Sequence, residues 1–265
     1  MQIIFYLIVF IFGLVVGSFL NCVIYRLETG GSFLKGRSFC PHCKHTLCCW
    51  DLIPIFSFLI LKGKCRYCQQ KISFQYPLVE IATGLLFLQI FNFSAFGEPV
   101  VGWQFYQNLP STFYLLLITC FLIIIFVYDL KHFIIPDKVI FPAIIIALLY
   151  NLYQQLITLN FLYAAFGAAI FFLAIVLVSR GKWMGLGDVK LAFFMGLLLG
   201  FPNILVALFL AFLIGAIIGI GLILAKRKHL KSELPFGPFL VTGTFIALFW
   251  GQAIAYWYLN LFSIV

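Results

Sequence analysis

Charge is scarce in this sequence. Only 9% of its 265 residues are Asp, Glu, Lys or Arg, against 64% hydrophobic residues, and eight in all are acids. A water-soluble domain does not cover its surface with so little charge, so the composition excludes one and leaves a polytopic membrane protein of all-α class. Low-complexity tracts and a clear internal repeat are also missing. So are the marks of a secretory signal: the N-terminal apolar run has no basic stretch before it and no small-residue cleavage site after it, and it reads as a retained first helix.

What is abundant is apolar sequence in lengths that suit a bilayer, which takes roughly 20 residues to cross. Segments near 2–25, 76–97, 110–129, 136–156, 159–179, 186–201, 204–225 and 239–262 predict about eight transmembrane helices, the sixth short and Gly-rich. Lys and Arg are missing from every second connection. All 17 fall at residues 26–71, at 131 and 138, at 180–190, or at 226–231. Basic residues of short loops stay on the cytoplasmic side, so this pattern predicts both termini on the periplasmic side and one substantial extramembrane region, a cytoplasmic loop at about 27–75. The net charge of +9 is then a topology signal. It requires no nucleic-acid partner, although anionic headgroups of the lipid bilayer can meet these loops. Glu98 reads as a solvated charge of an outer loop.

Within the long loop, Cys40-Pro-His-Cys43 and Cys65-Arg-Tyr-Cys68 are two C-x-x-C pairs separated by 21 residues. Each pair can offer two thiolates from one tight turn, and the intervening chain lets the turns meet, which predicts a structural zinc ion on Cys40, Cys43, Cys65 and Cys68. A disulfide role does not suit a cytoplasmic loop. His42, His45, Cys48 and Cys49 lie close by and read as loop residues, with substitution for one ligand as the alternative; Cys22 and Cys120 read as small core residues. Four thiolates close the coordination sphere, so the ion is expected to fold the loop and not to catalyse.

Two acids sit where apolar spans end. Asp129 closes the third span, and Asp188 opens the sixth within Gly185-Leu186-Gly187-Asp188. The basic residues put both at one leaflet, where they can meet. Two carboxylates in one site do not both ionise cheaply, so one keeps its proton while the other can deprotonate water, which is the requirement for metal-free hydrolysis of a peptide bond. Gly185 and Gly187 permit close backbone approach beside Asp188. Lys131 and Lys190 either support this site or, in the plain alternative, pair with the acids as ordinary helix-end ions. Asp137, after Pro136, reads as a helix-start residue. Pro235 and Gly237, in Pro-Phe-Gly-Pro-Phe-Leu, interrupt the start of the eighth span and can shape a pocket beside the acids; a plain loop is the alternative.

Taken in order, GSFLNCVIYR at 17–26, the two cysteine pairs, WDLIPIFSFLILKGKCRYC at 50–68, YPLVEIATGLLF at 76–87, YDLKHFIIPD at 128–137, GLGDVKL at 185–191 and PFGPFL at 235–240 resemble the bacterial prepilin peptidases, or type IV leader peptidases, of the GxGD aspartic protease class. The resemblance covers most of the chain. It implies an inner-membrane endopeptidase that removes the basic leader of type IV prepilins and type II secretion pseudopilins after a glycine, with Asp129 and Asp188 as the catalytic pair. Relatives with the cysteine loop are similar to bifunctional enzymes that also methylate the new N-terminal residue with S-adenosylmethionine. No Gly-rich dinucleotide-type fingerprint accompanies that activity here, so it rests on resemblance. Ser18, Asn21, Arg26 and Glu80 are the polar candidates for the donor or the amine, with interhelical hydrogen bonding as the alternative. The implied organisation is a first helix at 1–26, the zinc loop at 27–75, a second helix and outer loop at 76–109, and a six-helix peptidase region at 110–265. A peptidase without methylation, a proton- or cation-coupled transporter using the two acids, and a thiol oxidoreductase using the cysteines are the competing readings.

Overall fold

The computed structural model describes residues 2–31, 36–96, 109–154, 159–225 and 234–262. Lys35, Glu98 and the basic group Lys226, Arg227, Lys228 and Lys231 lie outside the described residues. Among those described, the long elements are all helices: α1 (Gln2–Thr29), α2 (Phe56–Ile60), α3 (Gln75–Phe96), α4 (Leu109–His132), α5 (Asp137–Tyr153), α6 (Leu159–Ser179), α7 (Leu186–Leu199), α8 (Asn203–Leu224) and α9 (Gly237–Phe262). A 3-10 turn at Cys49–Leu52 precedes α2. The expected eight apolar segments correspond to α1 and α3 through α9.

Six of these helices, α1, α3, α4, α6, α8 and α9, are long and apolar enough to cross a membrane. The other two are shorter, α5 with 17 residues and α7 with 14. At about 1.5 Å per residue α7 covers only ~21 Å, less than the ~30 Å of a hydrocarbon core. Its length is set by glycine at both ends: Gly185 caps its start and Gly200, at φ 64°, turns the chain out at its end. By contrast, α1 runs four residues past its expected end near 25. Arg26 in its last turn suits the negative end of the helix dipole, and the N–H of Gly31 returns to the Arg26 carbonyl at 2.9 Å around left-handed Gly30.

The chain divides into two compact units, residues Met1–Ile124 and Ile125–Val265, with the division inside α4. In the first unit α1 packs on α3. Gly13 and Gly17 lie one turn apart on α1, and a Cβ on either would come within 2.7 Å of the α3 backbone, at Gly84 and at Glu80. Such close approach replaces the hydrophobic drive that lipid does not supply.

In the second unit α7 is the hub, packed against α5, α6, α8 and α9. Leu191, Ala192 and every residue from Phe194 to Leu199 are buried. The tightest contact is Gly196, where a Cβ would overlap the backbone of Ala165 on α6. Asn151 on α5 reaches the same segment by donating to the Leu197 carbonyl at 3.0 Å. Gly196→Leu therefore forces α6 and α7 apart and is expected to destabilise the protein by at least ~1–3 kcal/mol. Gly167→Ala, in the interior of α6 with nothing within 4 Å, is the control that does not lower the thermal unfolding temperature of the detergent-solubilised protein.

Candidate active site and metal centre

The site in the second unit starts from the end of α4. Asp129 lies in the last turn of that helix and is 4% exposed. Burying a carboxylate demands donors, and the first N–H of α9 supplies one: Gly237 N–H donates to Asp129 Oδ2 at 3.0 Å. Only glycine fits there, since a Cβ at 237 would lie 2.5 Å from that oxygen. The neighbouring aromatics keep α9 in register: Phe236 packs on Phe212 with ring centroids 5.0 Å apart and on Phe172 at 6.1 Å. Pro235, half-buried, leads the chain into this turn.

Asp188 occupies the first turn of α7, where helix N–H groups favour a negative charge. Its Oδ2 accepts from the Gly185 N–H at 3.3 Å, the half of a capping box that an N3 glutamate usually provides, glycine having no side chain to return the bond. The carboxylates of Asp129 and Asp188 are close enough for their charges to act on each other. Each thus sits at a helix N-terminus with one oxygen tied to a backbone N–H. Gly187 lets α7 approach the α4–α5 connection, since a Cβ there would stand 3.1 Å from Ile135 Cβ. That connection reverses at Phe133, whose N–H returns to the Asp129 carbonyl at 2.9 Å.

Lys190 does not pair with Asp188. Its ammonium meets Asp137 Oδ1 at 2.6 Å and lies 5.0 Å from the centre of the Phe141 ring. The cation two residues from Asp188 is thereby directed to the start of α5. Lys131 is exposed in the last turn of α4. Sequence reasoning missed both Ile135 and the pairing of Asp137 with Lys190. The pairing carried no signal at a separation of 53 residues. Ile135 had one: the residue before Pro136 is held extended, which turns the chain toward α7.

In the first unit the four thiols of Cys40, Cys43, Cys65 and Cys68 lie within 4.8 Å of one another. The Sγ atoms of Cys40 and Cys68 are 3.9 Å apart. A tetrahedral zinc with Zn–S bonds of ~2.3 Å places its sulfurs about 3.8 Å apart, so the cluster fits that ion. The two knuckles repeat one backbone pattern. In each, the first cysteine donates to the carbonyl five residues on, His45 or Gln70, and accepts from the N–H four residues on, Lys44 or Gln69. Lys44 and Gln69 both take left-handed backbone, at φ 60° and 57°. The bridges Phe39 to Thr46 and Lys64 to Lys71 close both turns at equivalent places.

His42, His45, Cys48 and Cys49 are outside the thiol cluster. His45 stacks on Tyr67 with centroids 3.7 Å apart, and the Tyr67 hydroxyl donates to Asp51 at 3.3 Å and to Cys48 Sγ at 3.6 Å. Burial works against the charge of Asp51, but the Arg66 Nε at 2.7 Å, the Cys48 N–H and Tyr67 outweigh it and hold the carboxyl below its usual range. Cys22 and Cys120 are half-buried within α1 and α4.

The four polar candidates of the first helices are engaged within the protein. Asn21 donates to the Tyr76 carbonyl at 3.1 Å and accepts from Gln75 at 3.4 Å. Glu80 takes the Ile55 N–H at 2.8 Å and a hydrogen bond from Ser18. Arg26 donates to the Gly36 carbonyl at 2.7 Å. These contacts tie α1, α3 and the loop together.

Helices long enough to cross a membrane, a four-cysteine loop between the first two long helices, and a buried Asp129 near a half-buried Asp188 are the arrangement of an integral membrane peptidase. The chain belongs to the type IV leader peptidase family, whose pattern matches residues 116–220, while the pattern of the bacterial peptidase A24 N-terminal domain matches residues 11–93. It is 35% identical to the prepilin leader peptidase/N-methyltransferase of Aeromonas hydrophila, over 96% of this chain and 94% of that one. It is 34% identical to the protein of the same name from Bacillus subtilis (strain 168), over 96% of this chain and 98% of the relative. No solved structure matches the chain.

Removing one thiolate leaves three ligands and an open position, so Cys65→Ser is expected to lower bound zinc from about one per chain to a small fraction of that. Metal analysis of the purified protein checks this, and proteolysis of residues 36–74 should accelerate in parallel.

Proposed function

We propose that this chain is an aspartic endopeptidase of the bacterial inner membrane that cleaves the leader from type IV prepilins and type II secretion pseudopilins, and then methylates the new N-terminal residue. The observation that carries the cleavage reading is that Asp129 and Asp188, near enough for their charges to interact, are each anchored on a helix N-terminal N–H. The family and the names of the relatives support both activities. Both termini are periplasmic in this reading, and the site faces the cytoplasm, where the basic residues accumulate.

The chemistry follows from the two carboxylates. Their Oδ2 atoms are fixed by Gly237 and Gly185, which leaves an Oδ1 on each for water and for the scissile carbonyl after a substrate glycine. The ionised aspartate removes a proton from water as the water oxygen attacks the carbonyl carbon. The protonated aspartate donates to the carbonyl oxygen. When the C–N bond breaks, the proton taken from water passes to the leaving amine, and a hydroxyl of the tetrahedral diol returns a proton to the aspartate that had donated to the carbonyl oxygen. Lys190, held by Asp137, stays out of this exchange and lets the two acids share one proton. Residues 110–265 would carry the cleavage. Residues 27–75, with α1 and α3, would carry the methylation, for which S-adenosylmethionine supplies an electrophilic methyl group. Zinc on the four cysteines holds the loop in shape.

The decisive experiment incubates the purified protein with a prepilin and labelled S-adenosylmethionine. Leader release and label on the new N-terminus are expected together; cleavage without label would leave a peptidase alone. Asp129→Asn and Asp188→Asn should each lower cleavage by roughly 10²-fold or more while membrane insertion is unchanged. Full cleavage by either variant would overturn the assignment.

A subtler loss is expected from Gly237→Ala, because the added methyl group pushes the Asp129 carboxylate away from α9. A displacement of about 1 Å at a reacting group costs on the order of 10²-fold in rate. The loss should fall on kcat, measured with the same prepilin, and not on KM.

A further inference from the structure

The loop between α1 and α3 presents apolar side chains that its own fold does not cover. Trp50 is 75% exposed, Phe56 62%, Leu59 64% and Ile60 74%. They lie on the 3-10 turn and α2, while Asp51 between them turns inward to Arg66 and Tyr67. A run of this kind in water would be an aggregation site.

Three observations identify what covers it. The first is depth. The Ile55 N–H is bound to Glu80, five residues into α3, which is about 7–8 Å along that helix from Gln75. Ile55 is a β-branched residue held at φ 61°, a conformation that persists only where surrounding contacts impose it. The loop is therefore held level with the first turns of a membrane-spanning helix. The second is continuity. Phe58 of α2 packs on Phe74 at 5.4 Å, Phe74 is 76% exposed, and Leu78 continues the same face of α3 at 66% exposed. The patch thus runs without a break into the lipid-facing side of α3. The third is charge. No acid occurs between Asp51 and Glu80, while Lys62, Lys64, Arg66 and Lys71 all lie there, and each of the four is exposed. A second copy of this loop, or any basic peptide, would be repelled by them; an anionic lipid surface would be attracted.

We propose that Cys49–Ile60 is a bilayer-surface anchor, with Trp50, Phe56, Leu59 and Ile60 inserted at the boundary of headgroups and acyl chains and the following lysines on anionic headgroups. Insertion of an apolar face by about 5–10 Å is the usual depth for such elements, and Trp is favoured at that level. The proposal needs only that α1 and α3 span the membrane, and it stands whether or not the chain cleaves prepilins. The zinc knuckles would then rest on the membrane as a platform and not project from it on a tether.

The test uses the full chain in nanodiscs of phosphatidylglycerol with acyl chains brominated near the glycerol. Subtracting the emission of Trp50→Phe isolates the Trp50 signal. It is expected to be blue-shifted and to lose most of its intensity to bromine. Water-like, unquenched emission would overturn the proposal, and so would a blue-shifted signal untouched by bromine, which would mean that protein covers the patch. A Leu59→Asp, Ile60→Asp double variant that retains its zinc should lose the quenching; unchanged quenching in it also overturns the anchor. Quenching that fails to decrease in brominated phosphatidylcholine would overturn the headgroup pairing.

Discussion

A carboxylate buried in an apolar bundle must be met by donors, and in this protein the donors are the free N–H groups of helix starts. Asp129 is met by the first residue of α9, and Asp188 by the N-cap of its own helix α7. These groups are unsatisfied in any helix, so using them costs no added polar side chain in the bundle. They also carry no proton that titrates. A lysine partner would hold an aspartate permanently ionised, whereas a backbone N–H supports a carboxylate and still lets it take up a proton. The arrangement would suit the proton exchange proposed for the two acids.

The short helix serves the same constraint. Beginning beside the end of α4 and ending at Gly200, α7 is shorter than α6, α8 and α9 around it. Gly185 and Gly200 bracket it, and α5, α6, α8 and α9 surround it. Its buried face is nearly complete, and Gly196 brings the α6 backbone into direct contact. The hub is therefore stiff where Asp188 needs to be held, and the spanning is left to longer helices around it.

Much of this was legible in the residues. Hydropathy and the placement of lysines predicted the helices to within a few positions, because both respond to the bilayer and not to tertiary detail. The cysteine spacing pointed to the thiol cluster, since two tight turns and one intervening loop leave few other arrangements. What the sequence hid depended on backbone geometry or on distant partners. The knuckles at 39–46 and 64–71 repeat each other, yet apart from the cysteines their residues differ, so no repeat was visible. Lys190 and Asp137 are a pair through folding alone. Glu80 read as a polar residue awaiting a ligand, while in the fold it receives a strained turn of the loop. The exposed face of the 3-10 turn and α2 was hidden because a five-residue helix is too short for the i, i+3, i+4 spacing of Phe56, Leu59 and Ile60 to stand out among the apolar residues around it.

The paired knuckles also bear on how the chain assembles. A metal that joins Cys40 to Cys68 turns the loop into a closed ring, and only short stretches then separate the ring from the end of α1 and the start of α3. To those two helices the long insertion behaves as a brief hairpin connection, and the entropy of bringing them together falls accordingly. Metal bound to the four thiolates would thus favour the pairing of α1 with α3.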